Sequence, residues 1–162
     1  MAAGAAALGA SMYTATTAAG TVTADASANV LQPLGITAGA AMDFGDVAAD
    51  PTVATTVDLT TGGTTSSTDG ASVSGTPAAG SFSVSGTAAA NYSISLPADN
   101  TVVLTGLGFD MPVNGFTDNL GGSGTLNGSG AQTFTVGATL TIPANQTADN
   151  YTGTYDVTVS YE

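Results

Sequence analysis

The 162-residue chain contains no lysine, arginine, histidine, cysteine or tryptophan. Each absence excludes a class of chemistry. Without a cationic side chain nothing neutralises phosphates, so nucleic acid is not an expected partner. An anionic membrane surface repels such a chain, and no stable membrane insertion is expected. Without histidine there is no ordinary general base near neutral pH and no imidazole metal site. Without cysteine there is no disulfide, zinc knuckle or thiol chemistry. Ion pairs between side chains cannot form. Stability must come from apolar burial and backbone hydrogen bonds. Edge strands are commonly guarded by lysine, and here only Asp, Gly and Pro can serve.

What remains is acidic and rich in small residues. Eleven Asp and one Glu give a formal net charge of -12, and Ala, Gly, Thr and Ser fill most of the rest. Thr and Val favour strands, while scattered Gly and Asn favour turns. Good helix formers other than Ala are scarce. The length suits one domain with a real core.

Period-two alternation, the mark of a half-buried strand, recurs along the chain. In the run from Thr21 to Val30, Val22, Ala24, Ala26, Ala28 and Val30 share one face, which predicts a long strand ending near Pro33. Short strands are expected around Met42 and Phe44, and from Val53 to Leu59. Residues 62–80 read as a low-complexity loop. Phe82 and Val84, then Tyr92, Ile94 and Leu96, read as a hairpin across a short connection. One or two strands follow over 101–116, then a turn region over 121–130. The alternating run Phe134, Val136, Ala138, Leu140, Ile142 and a final run Tyr155, Val157, Val159, Tyr161 complete the set. Many short strands with turn signals between them argue an all-β sandwich. The final run also raises a question, which strand lies beside it and from which molecule, and the expected answer is a partner strand from another molecule.

The opening MAAGAAALGASM is apolar like the tail of a secretory signal, but it lacks a basic n-region and is too short to span a bilayer. We read it as part of the folded molecule. Leu8, Ala10 and Met12 fall on alternate positions there.

GSFSVSGTAAANYSISLP and FTVGATLTIPANQTADNYTGTYDVTVSYE, with LQPLGITAGAAMDFGDV before them, resemble a family of bacterial secreted β-sandwich proteins of unknown function. The resemblance covers about residues 21–162. That family is similar to pilins and coat proteins assembled by donor-strand exchange, which often close on a strand with a penultimate Tyr, here Tyr161. Two features depart from the pilin pattern. Chaperone–usher pilins commonly hold a disulfide, and this chain has no Cys; residues 1–20 match no motif of the family. The expected architecture is all-β: an immunoglobulin-like, pilin-like antiparallel β-sandwich over 21–162, with residues 1–20 as an N-terminal extension and candidate donor strand.

Motifs for chemistry are sparse. A serine hydrolase needs a base beside its serine. Thr68-Asp69-Gly70 has the wrong order for an aspartic-protease turn. Asp43, Asp46 and Asp50 are candidate oxygen ligands for a cation but fit no EF-hand spacing. Gly106-x-Gly108 and Gly121-Gly122-Ser123-Gly124 precede no helix and read as turns, not phosphate loops. Asn-x-Ser/Thr sequons at Asn91, Asn127, Asn145 and Asn150 are candidate glycosylation sites in a host that glycosylates. Repeated Thr-x-Thr steps are the polar faces of ordinary strands.

These observations lead to an expectation of a non-enzymatic, cofactor-free protein, secreted and located in a cell-surface filament. Its partners would be identical subunits, and neighbouring cells or surfaces for the assembled filament. The candidate donor strand would be anchored by Leu8, Ala10 and Met12. The alternative is a monomeric secreted binding module for carbohydrate, which the scarcity of aromatics disfavours, with five Tyr, five Phe and no Trp. Composition alone yields a first prediction. Trypsin leaves the chain at full mass, native or denatured; a discrete tryptic fragment in mass spectrometry would overturn it.

Overall fold

The structure, a computed structural model, describes residues 19–162. These contain twelve strands and no helix. They are β1 (Gly35–Ala38), β2 (Asp46–Ala48), β3 (Thr55–Leu59), β4 (Thr65–Ser67), β5 (Ser72–Ser74), β6 (Gly80–Ser85), β7 (Asn91–Ser95), β8 (Val102–Leu104), β9 (Met111–Asp118), β10 (Ser123–Thr125), β11 (Ala131–Ile142) and β12 (Thr158–Tyr161). Every pairing is antiparallel, and the architecture is a β-sandwich.

Strand β11 organises the larger sheet. Its twelve residues alternate strictly enough that Phe134, Val136, Ala138, Leu140 and Ile142 are all buried. The first half pairs with β6, the second half with β3, and β9 lies along the middle. Strands β1, β4 and β8 extend this sheet through β6, β3 and β9. The second sheet has the order β10-β7-β12, and β2 and β5 form a separate ribbon.

Two apolar clusters follow from this. Around the Ala131 half of β11, Val84, Phe134 and Val136 pack with Tyr92, Ile94 and Leu126. Phe82 stacks on its cross-strand neighbour Phe134 with ring centroids 5.3 Å apart, a pairing that adds to area burial. Around the Ile142 half, Ala138, Leu140 and Ile142 pack with Val57, Leu59, Val102, Met111, Val113 and Phe44.

Several expectations need correction. Residues 21–30 form no strand. They are exposed, Val22 and Val30 by 92% and 91%, because alternation makes a strand only where a neighbour accepts its hydrogen bonds, and none of the described residues does. The run expected around Met42 and Phe44 makes only a bridge, Asp43 with Ala78, and the strand comes later as β2. Residues 62–80 are not one loop: β4 and β5 lie within them, paired with β3 and β2. Within 121–130, β10 pairs with β7. The runs at Phe82–Val84 and Tyr92–Leu96 are not a hairpin, since β6 and β7 belong to different sheets. Alternation fixes faces but carries no information about partners, which is why the hairpin expectation fails.

The terminal run answers its question in two parts. Burial alternates from 154 to 161 as the sequence demands. From Thr158 onward the partner is β7 of the same chain and not, as expected, a strand of another molecule, because β7 presents a free edge in register with it. Residues 153–156 make no backbone–backbone hydrogen bond with any described residue.

A β-bulge opposite β9 falls at Gly137–Thr139. A Cβ on Gly137 would stand 2.2 Å from the Leu59 carbonyl oxygen, a backbone atom that cannot swing away. Gly137→Ala is therefore expected to cost about 1–3 kcal/mol through overpacking. Gly128→Ala, with nothing within 4 Å of the new carbon, should stay within about 0.5 kcal/mol of the parent. Denaturant melts of the two variants check the contrast.

Candidate functional site

The two halves of β11 are covered differently. The Ala131 half lies beneath the three-stranded sheet. The Ile142 half is covered by irregular chain, residues 42–51 on one side and 146–155 on the other. Between this cover and the sheet runs an open groove of about 940 Å³, near the upper end of the range for small-ligand pockets, about 1,000 Å³. Val102, Met111, Val113, Leu140 and Ile142 form its floor. The floor residues are themselves buried.

Both walls are held by few backbone bonds. On the first, Asp43 exchanges 2.8 Å bonds with Ala78, β2 pairs with β5, and the Pro51 carbonyl accepts the Asn145 N–H. On the second, Thr152 pairs with Thr105 at 2.9 and 3.1 Å. Beyond it comes the stretch 153–156, which pairs with none of the described residues and whose Gly153 and Tyr155 border the groove. Tyr155 packs against Phe116, ring centroids 5.4 Å apart, and closes one end of the apolar floor.

The rim is acidic. Asp43, Asp46, Asp50 and Asp149 all border the groove. The Asp43 carboxylate accepts the Gly45 N–H at 2.8 Å. The Asp50 carboxyl is held below the usual range by the Thr52 hydroxyl at 2.6 Å and then by the Thr52 N–H at 2.7 Å. Thus the structure brings the three candidate cation ligands to one wall. Among the described residues, however, no three acidic side chains gather closely enough to share an ion.

Leu8, Ala10 and Met12 lie outside the described residues. The four sequon asparagines are all exposed. Asn91 accepts the Thr125 hydroxyl at 2.8 Å, and Asn127 shapes its own turn through Ser129. Asn145 and Asn150 flank the second wall.

Sequence reasoning missed the loop 105–110 and the side chains that grip it. Asp149 accepts the Leu107 N–H at 2.8 Å and Tyr151 the Gly108 N–H at 2.8 Å. Gln146 accepts the Phe109 N–H at 3.0 Å and donates to the Phe109 carbonyl. It also missed the role of Tyr161, whose hydroxyl accepts the Thr87 N–H at 2.7 Å and donates to the Gln32 carbonyl at 2.8 Å. Gly86 leaves room for that hydroxyl, since a Cβ there would lie 2.2 Å from it. The penultimate position of Tyr161 was the only signal.

Residues 34–161 match the family model for a domain of unknown function, DUF4402. The chain belongs to the DUF4402 family. The matched span runs from just before β1 through β12, so groove, gripped loop and Tyr161 all lie within the family domain. No curated protein and no solved structure matches the chain.

Two phenols in the domain respond to alkali. Burial pushes Tyr155 above the ordinary tyrosine value. Burial and then the Asp118 charge do the same for Tyr92, whose hydroxyl has no hydrogen-bond partner among the described residues. The fold favours the neutral phenol, so this contribution is complete below the unfolded value of about 10 and is lost as pH rises through the raised folded values. Melting temperature should accordingly start to fall above about pH 10. Tyr155→Phe should flatten that fall, and thermal melts across alkaline pH check it.

Proposed function

We propose that the protein is the structural subunit of an extracellular cell-surface filament, with an immunoglobulin-like sandwich that receives a strand from the N-terminal segment of the next subunit. The observation that carries this reading is the groove over the Ile142 half of β11, floored by core side chains and bordered by backbone at 153–156 that pairs with none of the described residues. A strand laid there would bond to that backbone and pack against those side chains, as in strand-addition recognition.

Position and charge support the same reading. The chain enters the domain at Gln32, fixed by Thr87 and Tyr161 at the Ala131 end of β11. The groove lies at the other end, and twelve extended residues span about 40 Å. To fill its own groove the segment would first have to run back along β11, so insertion into another copy is favoured. Such a contact is head-to-tail and does not close, which generates a fibre. Residues 1–24 carry no Asp or Glu, so they can pass an acidic rim that repels the rest of the chain.

A second reading has its own support. Carboxylates and amides beside Tyr151 and Tyr155 are groups that hold sugars, which suits a monomeric carbohydrate-binding module. Sedimentation separates the two, since a fibre pellets and a module does not.

Deletion of residues 1–20 is expected to abolish polymerisation and leave monomers. Leu8 and Met12 would supply the largest apolar terms, roughly 1.5–3 kcal/mol each when fully buried. Met12→Asp should weaken assembly far more than Thr16→Asp, because a carboxylate in a dry groove has no cation to pair with. Pelleting and electron microscopy check both. Normal filaments from the shortened chain would overturn the donor role, and failure of the full chain to pellet would favour the module.

A further inference from the structure

We infer that the loop between β8 and β9 is a second docking surface for another copy of this chain. It receives the apolar pair Val30 and Leu31, where that copy's N-terminal segment leaves its domain. The inference rests on the strand-filling reading above and adds a contact between the bodies of neighbouring subunits.

The loop is built to present apolar side chains. Leu107 is 80% exposed and Phe109 62%, although both sit on backbone that Asp149, Tyr151 and Gln146 hold by hydrogen bonds. The loop also rests directly on Tyr151: a Cβ on Gly106 or Gly108 would come within 2.7 or 2.2 Å of that side chain. A large exposed apolar pair on braced backbone loses little conformational freedom on docking, which is how preorganised contacts gain affinity.

Place and charge select the partner. The three gripping residues also line the groove, so whatever fills the groove passes beside Leu107 and Phe109. At the opposite end of β11, Gln32 is fastened, and next to it Leu31 is 43% exposed and Val30 91% exposed. With residues 1–20 of a second copy in the groove, the ten residues up to Val30 span at most about 33 Å, which keeps this second apolar pair within reach of the loop. Residues 105–109 carry no charge, and neither do residues 30–33. Two copies, each at -12, approach at least electrostatic cost through such neutral patches.

The absence of native cysteine makes the test clean. Leu31→Cys and Leu107→Cys are placed together in the full chain, the protein is allowed to assemble, and it is oxidised and run on a non-reducing gel. A ladder of covalent oligomers is expected, whereas each single-cysteine chain should give dimers at most. In parallel, Leu107→Ser with Phe109→Ser should raise the concentration needed for assembly about tenfold, the scale of an interface hot spot, and leave the melting temperature unchanged. Filaments without a ladder would overturn the loop contact and leave the strand-filling reading standing. Absence of both filaments and ladder from the parent and its variants would overturn both. Should the cysteines themselves block assembly, the serine pair decides: assembly at the parent's concentration overturns the contact.

Discussion

The pairing of β11 along both edges is the constraint on which the domain depends. One edge carries β6 and then β3, and the other carries β9. Its inward residues divide between both apolar clusters, Phe134 and Val136 in one, Ala138, Leu140 and Ile142 in the other. No ion pair between side chains can reinforce this arrangement. Backbone ladders and apolar contact therefore hold the sheet, and a fault in β11 is felt at both ends of the molecule. Gly137 is where that demand is sharpest, because β3 approaches the bulge too closely for any side chain.

The same strand explains what was legible in the sequence. Faces could be read wherever alternation was strong. The inward set of β11 and the half-buried set Tyr155, Val157, Val159 and Tyr161 are as the pattern requires. Partners could not be read, because a face says nothing about which edge meets which. Hence Phe82 and Tyr92, ten residues apart in sequence, lie on strands of different sheets. Strands β4, β5 and β10 escaped notice because they are three residues long and made mostly of Ser, Thr and Gly. The groove was invisible for a related reason. It is a property of what covers the Ile142 half of β11, and its two walls come from segments about a hundred residues apart.

An acidic surface without counter-charges also shapes the candidate site. Each rim carboxylate with a hydrogen bond draws it from a backbone N–H or a hydroxyl, as Asp43 does from Gly45 and Asp50 from Thr52. Asp149 does the same for the gripped loop through Leu107. The acids thus set turns locally and leave apolar chemistry to the groove floor and the loop tip. Neutral surface is where two such acidic copies would repel each other least.

The Tyr161 clamp has a mechanical consequence. Its hydroxyl ties Gln32 and Thr87 to β12 at the point where the chain enters β1. Strand β1 pairs with β6 over four residues, and those bonds run across the strand direction. A pull along the axis on the segment before Gln32 meets the clamp first and then loads the four-residue ladder in parallel rather than peeling it one bond at a time. The load passes from β6 to β11 through six further residue pairs, also in shear. Tension would thus travel along the sheet's stiffest direction toward the end where the groove lies, a geometry suited to bearing axial load without opening the core.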